Sequence, residues 1–169
     1  MLQIRTAEEL IALDPRWRIR RAARETPLCR QILRLFLSRG GPVPVAAVVA
    51  ASDHCALDAV RPALIGLDDD DLIRVRGGMI DIAYPFSASA TPFVVRLADG
   101  NERYACCAVD ALGIAPMTGQ RLEILSRCHH CAGPLGFSAT PHGPGPEAEG
   151  VMLWIGKRPE DDSKFADSL

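Results

Sequence analysis

A chain of 169 residues builds one compact domain or two small ones, and with 48% of its residues apolar it buries a core without disulfide staples. The net charge of −2 gives no overall pull toward nucleic acid or a membrane surface. No apolar run is long enough to span a bilayer, so a membrane partner is not expected.

The amino-terminal stretch MLQIRTAEELIALDPRWRIRR has no basic start followed by an apolar core, so no signal peptide is expected there. The expected compartment is the cytoplasm, where thiols stay reduced. In that setting Cys29, Cys55, Cys106, Cys107, Cys128 and Cys131 point to metal or thiolate chemistry more than to structural bridges. Residues 1–25 carry Arg16, Arg18, Arg20, Arg21 and Arg24 around Trp17. They read as one or two short helices packed by Leu10, Leu13, Trp17 and Ile19, with a nucleic-acid arm as the alternative.

From Thr26 the pattern sharpens. Thr26 is a cap, Pro27 stands at the first helical position and Gly40-Gly41 is a stop. Leu28, Ile32, Leu35 and Phe36 make an apolar face at helical spacing. VPVAAVVAAS predicts a second helix. ALDAVRPALIGLDDDDL predicts a third, weakened at Pro62. LIRVRGGMIDIAY then reads as a hairpin turning at Gly77-Gly78. Three helices and a hairpin is the order of a winged helix, placed at about residues 20–84. The third helix runs into Asp68-Asp69-Asp70-Asp71, which repels phosphates, and Arg74 and Arg76 do not outweigh that run. A packing or oligomerisation role, a homodimer for instance, is preferred to nucleic-acid binding.

The expected fold class is therefore α+β. Residues 1–84 form a helical, winged-helix-like domain, 85–92 (PFSASATP) a linker, and 93–169 a small mixed or antiparallel sheet domain with short helices. In the second part FVVRL alternates as a strand and DGN turns. YACCAVDALGIAPM reads as a short helix ending near Gly113. QRLEILSRC, PLGFSAT and VMLWIG read as strands, PHGPGPEAEG as a loop, and the tail KRPEDDSKFADSL is polar.

The thiols carry the chemistry. If 104–112 is helical, Cys107 and Asp110 share one face, placing a soft nucleophile beside a proton carrier. A helix start lowers a thiol's pKa, which makes Cys106 or Cys107 partly thiolate at neutral pH. The competing reading is a small-residue packing surface, since cysteine is among the most buried residue types. Cys128-His129-His130-Cys131 is half of a zinc knuckle with no second pair downstream. Cys106 or Cys107 is a candidate to complete that site from elsewhere in the fold, and a redox dithiol is the other reading.

Tyr104, Ala105, Cys107, Ala108 and Asp110, then Pro116, then Ser126 and Cys128, resemble the signature of the alkylmercury (organomercurial) lyases. The resemblance implies a helical amino-terminal domain joined to a mixed sheet domain. It implies cleavage of a carbon–mercury bond by protonation, with a small organometallic substrate, small thiols as reductant and no resident cofactor. By position, Cys107 is the first mercury ligand and attacking thiolate. Asp110 takes the thiol proton and delivers it to carbon, and Cys128 matches a mainly structural cysteine. The family's second catalytic cysteine lies in a Phe-Cys segment, for which the nearest match is Phe165-Ala166. The extra thiols Cys106 and Cys131 are candidates to replace it. The alternative function is a non-catalytic soft-metal or zinc protein holding its ion with Cys106, Cys107, Cys128 and Cys131, in effect a metal sensor with a winged helix.

Overall fold

The computed structural model describes residues 26–52 and 57–153, together with Lys164 and Ala166. The helices read in 1–25 lie outside those residues, as does most of the tail. Among the described residues the chain is α+β, with four α-helices and one nine-stranded sheet whose paired strands all run antiparallel.

Helix α1 (Pro27–Arg39) forms as its sequence dictates. The Thr26 hydroxyl accepts the Cys29 N–H at 3.3 Å, and Pro27 occupies the first turn, where no amide donor is needed. At the other end Gly40 adopts φ 71° and returns its N–H to the Phe36 carbonyl at 3.0 Å. The helix buries Cys29, Ile32 and Phe36. Each large apolar side chain of this kind contributes about 2 kcal/mol when fully buried. Strand β1 (Val43–Pro44) precedes the short helix α2 (Val45–Ala50), so VPVAAVVAAS is part strand and not all helix. Helix α3 (Leu57–Asp69) runs through Pro62 without interruption, on a turn where Arg61, Pro62 and Ala63 face solvent.

Strands β2 (Ile73–Arg76) and β3 (Met79–Ala83) form the expected hairpin. Gly77 and Gly78 take φ 56° and 76°, the paired positive values of a tight two-residue turn. The hairpin is no free-standing wing, because β3 also pairs with β1 and with β4 (Phe86–Ser87). The stretch 85–92, read from composition as a linker, thus carries a sheet strand. Phe86 is buried there and stacks on Phe36 of α1, with ring centroids 6.2 Å apart.

The sheet continues through β5 (Val94–Arg96), β6 (Glu102–Ala105), β7 (Leu122–Arg127), β8 (Pro134–Thr140) and β9 (Gly143–Pro144). Its order is β1-β3-β4-β6-β5-β7-β8-β9, with β2 on β3. Tyr104 and Ala105, expected to open a helix, instead end strand β6, and helix α4 (Ala108–Thr118) starts only after them. It passes Gly113 and Pro116 and stops at Gly119, φ 69°. Burial of Ala111, Ile114 and Ala115 outweighs the weak helix propensity of those two residues. The loop PHGPGPEAEG contains β9 and a 3-10 turn at Pro146–Ala148. The strand read in VMLWIG is absent at 151–153, and the rest of that stretch lies outside the described residues.

Two contacts lock the helical layer onto the sheet near β6. The buried Arg103 donates from Nε to the Leu37 carbonyl at 2.7 Å and from Nη2 to the Ser38 carbonyl at 3.4 Å, at the open end of α1. Gly40 leaves room for it, since a Cβ there would stand 2.9 Å from Arg103 Nη1. Arg103→Ala should therefore cost about 2–3 kcal/mol, the worth of charge-assisted bonds to buried carbonyls. A shifted urea midpoint at constant slope is the expected reading.

Candidate active site at the start of helix α4

Strand β6 ends at Ala105, Cys106 donates its N–H to the Pro85 carbonyl at 3.0 Å, and the chain turns at Cys107 into α4. Cys107 is not inside the helix. It is the cap, with extended backbone (φ −151°, ψ 178°), and its sulfur accepts the Asp110 N–H at 3.4 Å. A thiol thus occupies the place usually held by a serine or aspartate oxygen. From the third helical position the Asp110 carboxylate reaches back, and Cys107 Sγ donates its proton to Asp110 Oδ2 at 3.0 Å. The expected neighbours are neighbours, by a capping geometry and not by a shared helical face.

The electrostatics differ from the expectation of a ready thiolate. Burial first, then the charge and hydrogen bond of Asp110, push the Cys107 thiol up to about 12, and the N–H groups of Asp110 and Val109 offset this only in part. Cys106 is buried, with Ile82, Tyr84 and Ala166 around it. Burial chiefly, with Asp110 and Cys107 adding to it, raises its pKa strongly as well. Both thiols are protonated at neutral pH, and Cys107 has a carboxylate in place to take its proton.

Ala166 is itself fixed. Its N–H donates to the buried Asp71 at 3.3 Å and its carbonyl accepts from Arg74, which also pairs with Asp81 at 2.9 Å. Asp68 accepts the Val75 N–H at 3.2 Å and pairs with Lys164 at 2.8 Å. The acidic run that argued against phosphate binding therefore has a structural task that its composition did not disclose. It holds the hairpin and the carboxyl-terminal segment.

Cys128 and Cys131 lie elsewhere, in the turn between β7 and β8. There the neighbouring amides of Cys131 and His130, with the Cys131 thiol, lower the pKa of Cys128. Among the described residues no three His, Cys, Asp or Glu side chains are grouped to hold a metal ion. Cys106, Cys107, Cys128 and Cys131 accordingly do not close into one four-thiolate site, because β6–α4 and the β7–β8 turn present them as two separate pairs. Among those residues no helix is long and apolar enough to cross a membrane.

The fold of the described residues, an antiparallel sheet with four helices, has relatives among solved structures. Ten solved chains match, and one is the mercury-bound form of MerB2. It superposes with a TM-score of 0.59 at 17% identity, over 76% of this chain and 64% of that one. The likeness is one of fold, and the chain spans less than two thirds of that relative. No curated protein matches. Residues 86–169 match the family model described as MerB, alkylmercury lyase. This second half, which holds Cys107, Asp110 and Ala166, is the part that matches the alkylmercury lyase family.

A thiol of raised pKa reacts slowly with alkylating agents, because the thiolate fraction falls tenfold per unit. At pH 8, iodoacetamide should label Cys107 at least ~10-fold more slowly than Cys128, read by peptide mass mapping. Asp110→Asn removes the charge that helps raise this pKa, so labelling of Cys107 should quicken. An unchanged rate would mean that burial alone sets the thiol.

Proposed function

We propose that the chain cleaves carbon–mercury bonds by protonolysis at Cys107 and Asp110. The observation that carries the reading is the 3.0 Å contact from the Cys107 thiol to the Asp110 carboxylate. An organomercury cation, R–Hg⁺, meets a thiol that cannot ionise alone at neutral pH. Metal binding and proton transfer to Asp110 are then one event: the S–H bond breaks, an S–Hg bond forms and Asp110 becomes a carboxylic acid. Sulfur donation raises electron density on the mercury-bound carbon. Asp110 returns the proton to that carbon, the C–Hg bond breaks and the hydrocarbon R–H leaves. The sum converts R–Hg⁺ and a thiol into R–H and a thiolate-bound mercury cation, with no redox change and no resident cofactor.

The mercury left behind needs a second sulfur. Ala166 offers a methyl group and Cys106 packs against it. We assign the second thiol to Cys106, so that a thiol absent at 166 is supplied from the residue beside Cys107. Small cytoplasmic thiols then carry the metal away. The helices and hairpin before residue 85, a winged-helix-like arrangement in this reading, serve as the platform holding β3 and β4, not as a nucleic-acid reader. Arg74 and Asp68 are engaged within the fold.

The protein is tested by incubation with phenylmercury and methylmercury in excess small thiol, following benzene or methane against bound mercury. Release of hydrocarbon is expected, and Cys107→Ser should abolish it. Asp110→Asn should keep mercury uptake and slow release roughly a hundredfold or more, the usual worth of a positioned general acid. Full activity in that variant rules out the proton role. Tight uptake without hydrocarbon in the unaltered protein would favour the second reading, a soft-metal holder, to which the missing thiol at Ala166 points.

A further inference from the structure

Ala166 is tied into the site by its backbone. It is fully buried, and with Ile82, Tyr84 and Cys106 it forms a small cluster apart from the main core. A buried amide and a buried carbonyl must both find partners. The Ala166 amide donates to the Asp71 carboxylate at 3.3 Å, and its carbonyl accepts from Arg74 Nη1. Both partners come from the part of the chain before residue 85, and both are set up for the task.

Asp71 leaves α3 with φ 55°, a left-handed conformation that favours glycine, and it is buried. Glycine would suit that turn better, but it has no carboxylate to meet the Ala166 amide. Arg74 is aimed by Asp81. The register of β2 on β3 shifts between Arg74 and Val75, from Ile82 to Ile80, so Asp81 stands as the extra residue of a bulge. Its two oxygens accept from Arg74 Nε and Nη2, each at 2.9 Å. That two-point grip fixes the plane of the guanidinium and leaves Nη1 to reach the Ala166 carbonyl. The partly exposed Lys164–Asp68 pair at 2.8 Å is a third tie on the same segment.

We propose that Asp71 and Arg74 are positioning residues for the Cys106 thiol. Through the Ala166 backbone they keep that residue seated on Cys106 and so fix where the sulfur stands beside Cys107. The proposal rests on the proposed function only in taking Cys106 as the second mercury ligand. Loss of either partner leaves a buried backbone group of Ala166 unsatisfied, and the residue lifts away sooner than bear that cost. Cys106 then becomes accessible, and the preorganisation that a two-sulfur grip uses is lost.

The experiment compares full-length, reduced Asp71→Gly, Asp71→Asn and Arg74→Gln proteins with the unaltered one. Iodoacetamide labelling is read at Cys106 and at Cys29 by peptide mass mapping, and mercury(II) retained against excess glutathione is measured after desalting. Asp71→Gly removes the acceptor and suits the turn, and it should quicken labelling of Cys106 at least ~10-fold by local opening. Arg74→Gln should also quicken it, although losing a cation near a thiol by itself slows alkylation. Asp71→Asn keeps an acceptor oxygen and should behave as the unaltered protein. Cys29, buried in α1, should not change. Mercury retention should fall in Asp71→Gly and Arg74→Gln alone. Unchanged labelling of Cys106 in both of those variants overturns the proposal, and so does equal quickening at Cys29, the mark of general loosening. It falls as well if Cys106→Ser loses mercury while Asp71→Gly and Arg74→Gln keep it. Full retention in Cys106→Ser instead removes Cys106 as a ligand, a failure of the proposed function, and the labelling then decides the seating by itself.

Discussion

The pairing of β6 with β4 is the seam on which this molecule depends. Phe86 faces Ala105 and Ser87 faces Tyr104, and the Cys106 N–H extends the ladder to the Pro85 carbonyl. On one side of the seam lie the hairpin and the first three helices, and on the other β5 and all that follows. Arg103 binds the same strand to the end of α1, and Phe86 binds its neighbour to Phe36. The reactive residues begin where that strand stops. The thiol and carboxylate 3.0 Å apart are thereby placed just past the end of a strand that is paired on both sides.

The constraint explains the state of the thiol. A cysteine capping a helix in water would be acidified by the helix amides. Here burial and the facing carboxylate win, and Cys107 keeps its proton. A thiol so guarded resists oxidation and casual alkylation. In the proposed reaction it ionises when an electrophilic metal compensates the charge and Asp110 accepts the proton, so that selectivity for a thiophilic cation would come from the cost of ionisation itself.

The local chemistry of this fold was legible where a few neighbouring residues decide it. Thr26 and Gly40 bound α1, Gly77-Gly78 turn the hairpin, and β5, β7 and β8 follow their apolar patterns. What failed was decided at long range. Residues 85–92 look like a linker because they are small and polar, yet Phe86 is claimed by α1 and Ser87 by β6. Tyr104 and Ala105 carry helix-compatible side chains but are held as strand by β4 and β5. The Cys107–Asp110 spacing was read correctly as proximity, since a cap and a third helical position are three residues apart as surely as two positions on one face. The raised pKa was not readable, because burial is a property of the fold.

The two thiol pairs finally show how one residue type is given opposite characters. Cys106 and Cys107 are sunk beside a carboxylate, and burial first, then that charge, keeps their protons on. Cys128 is half-buried on the β7–β8 turn, where the neighbouring amides of Cys131 and His130 lower its pKa. The proposed delivery of a proton to carbon calls for the first character, because a thiolate that has already lost its proton to water has none to hand on. Placement in the fold, one pair buried at a strand-to-helix junction and one on the turn between two strands, produces the difference.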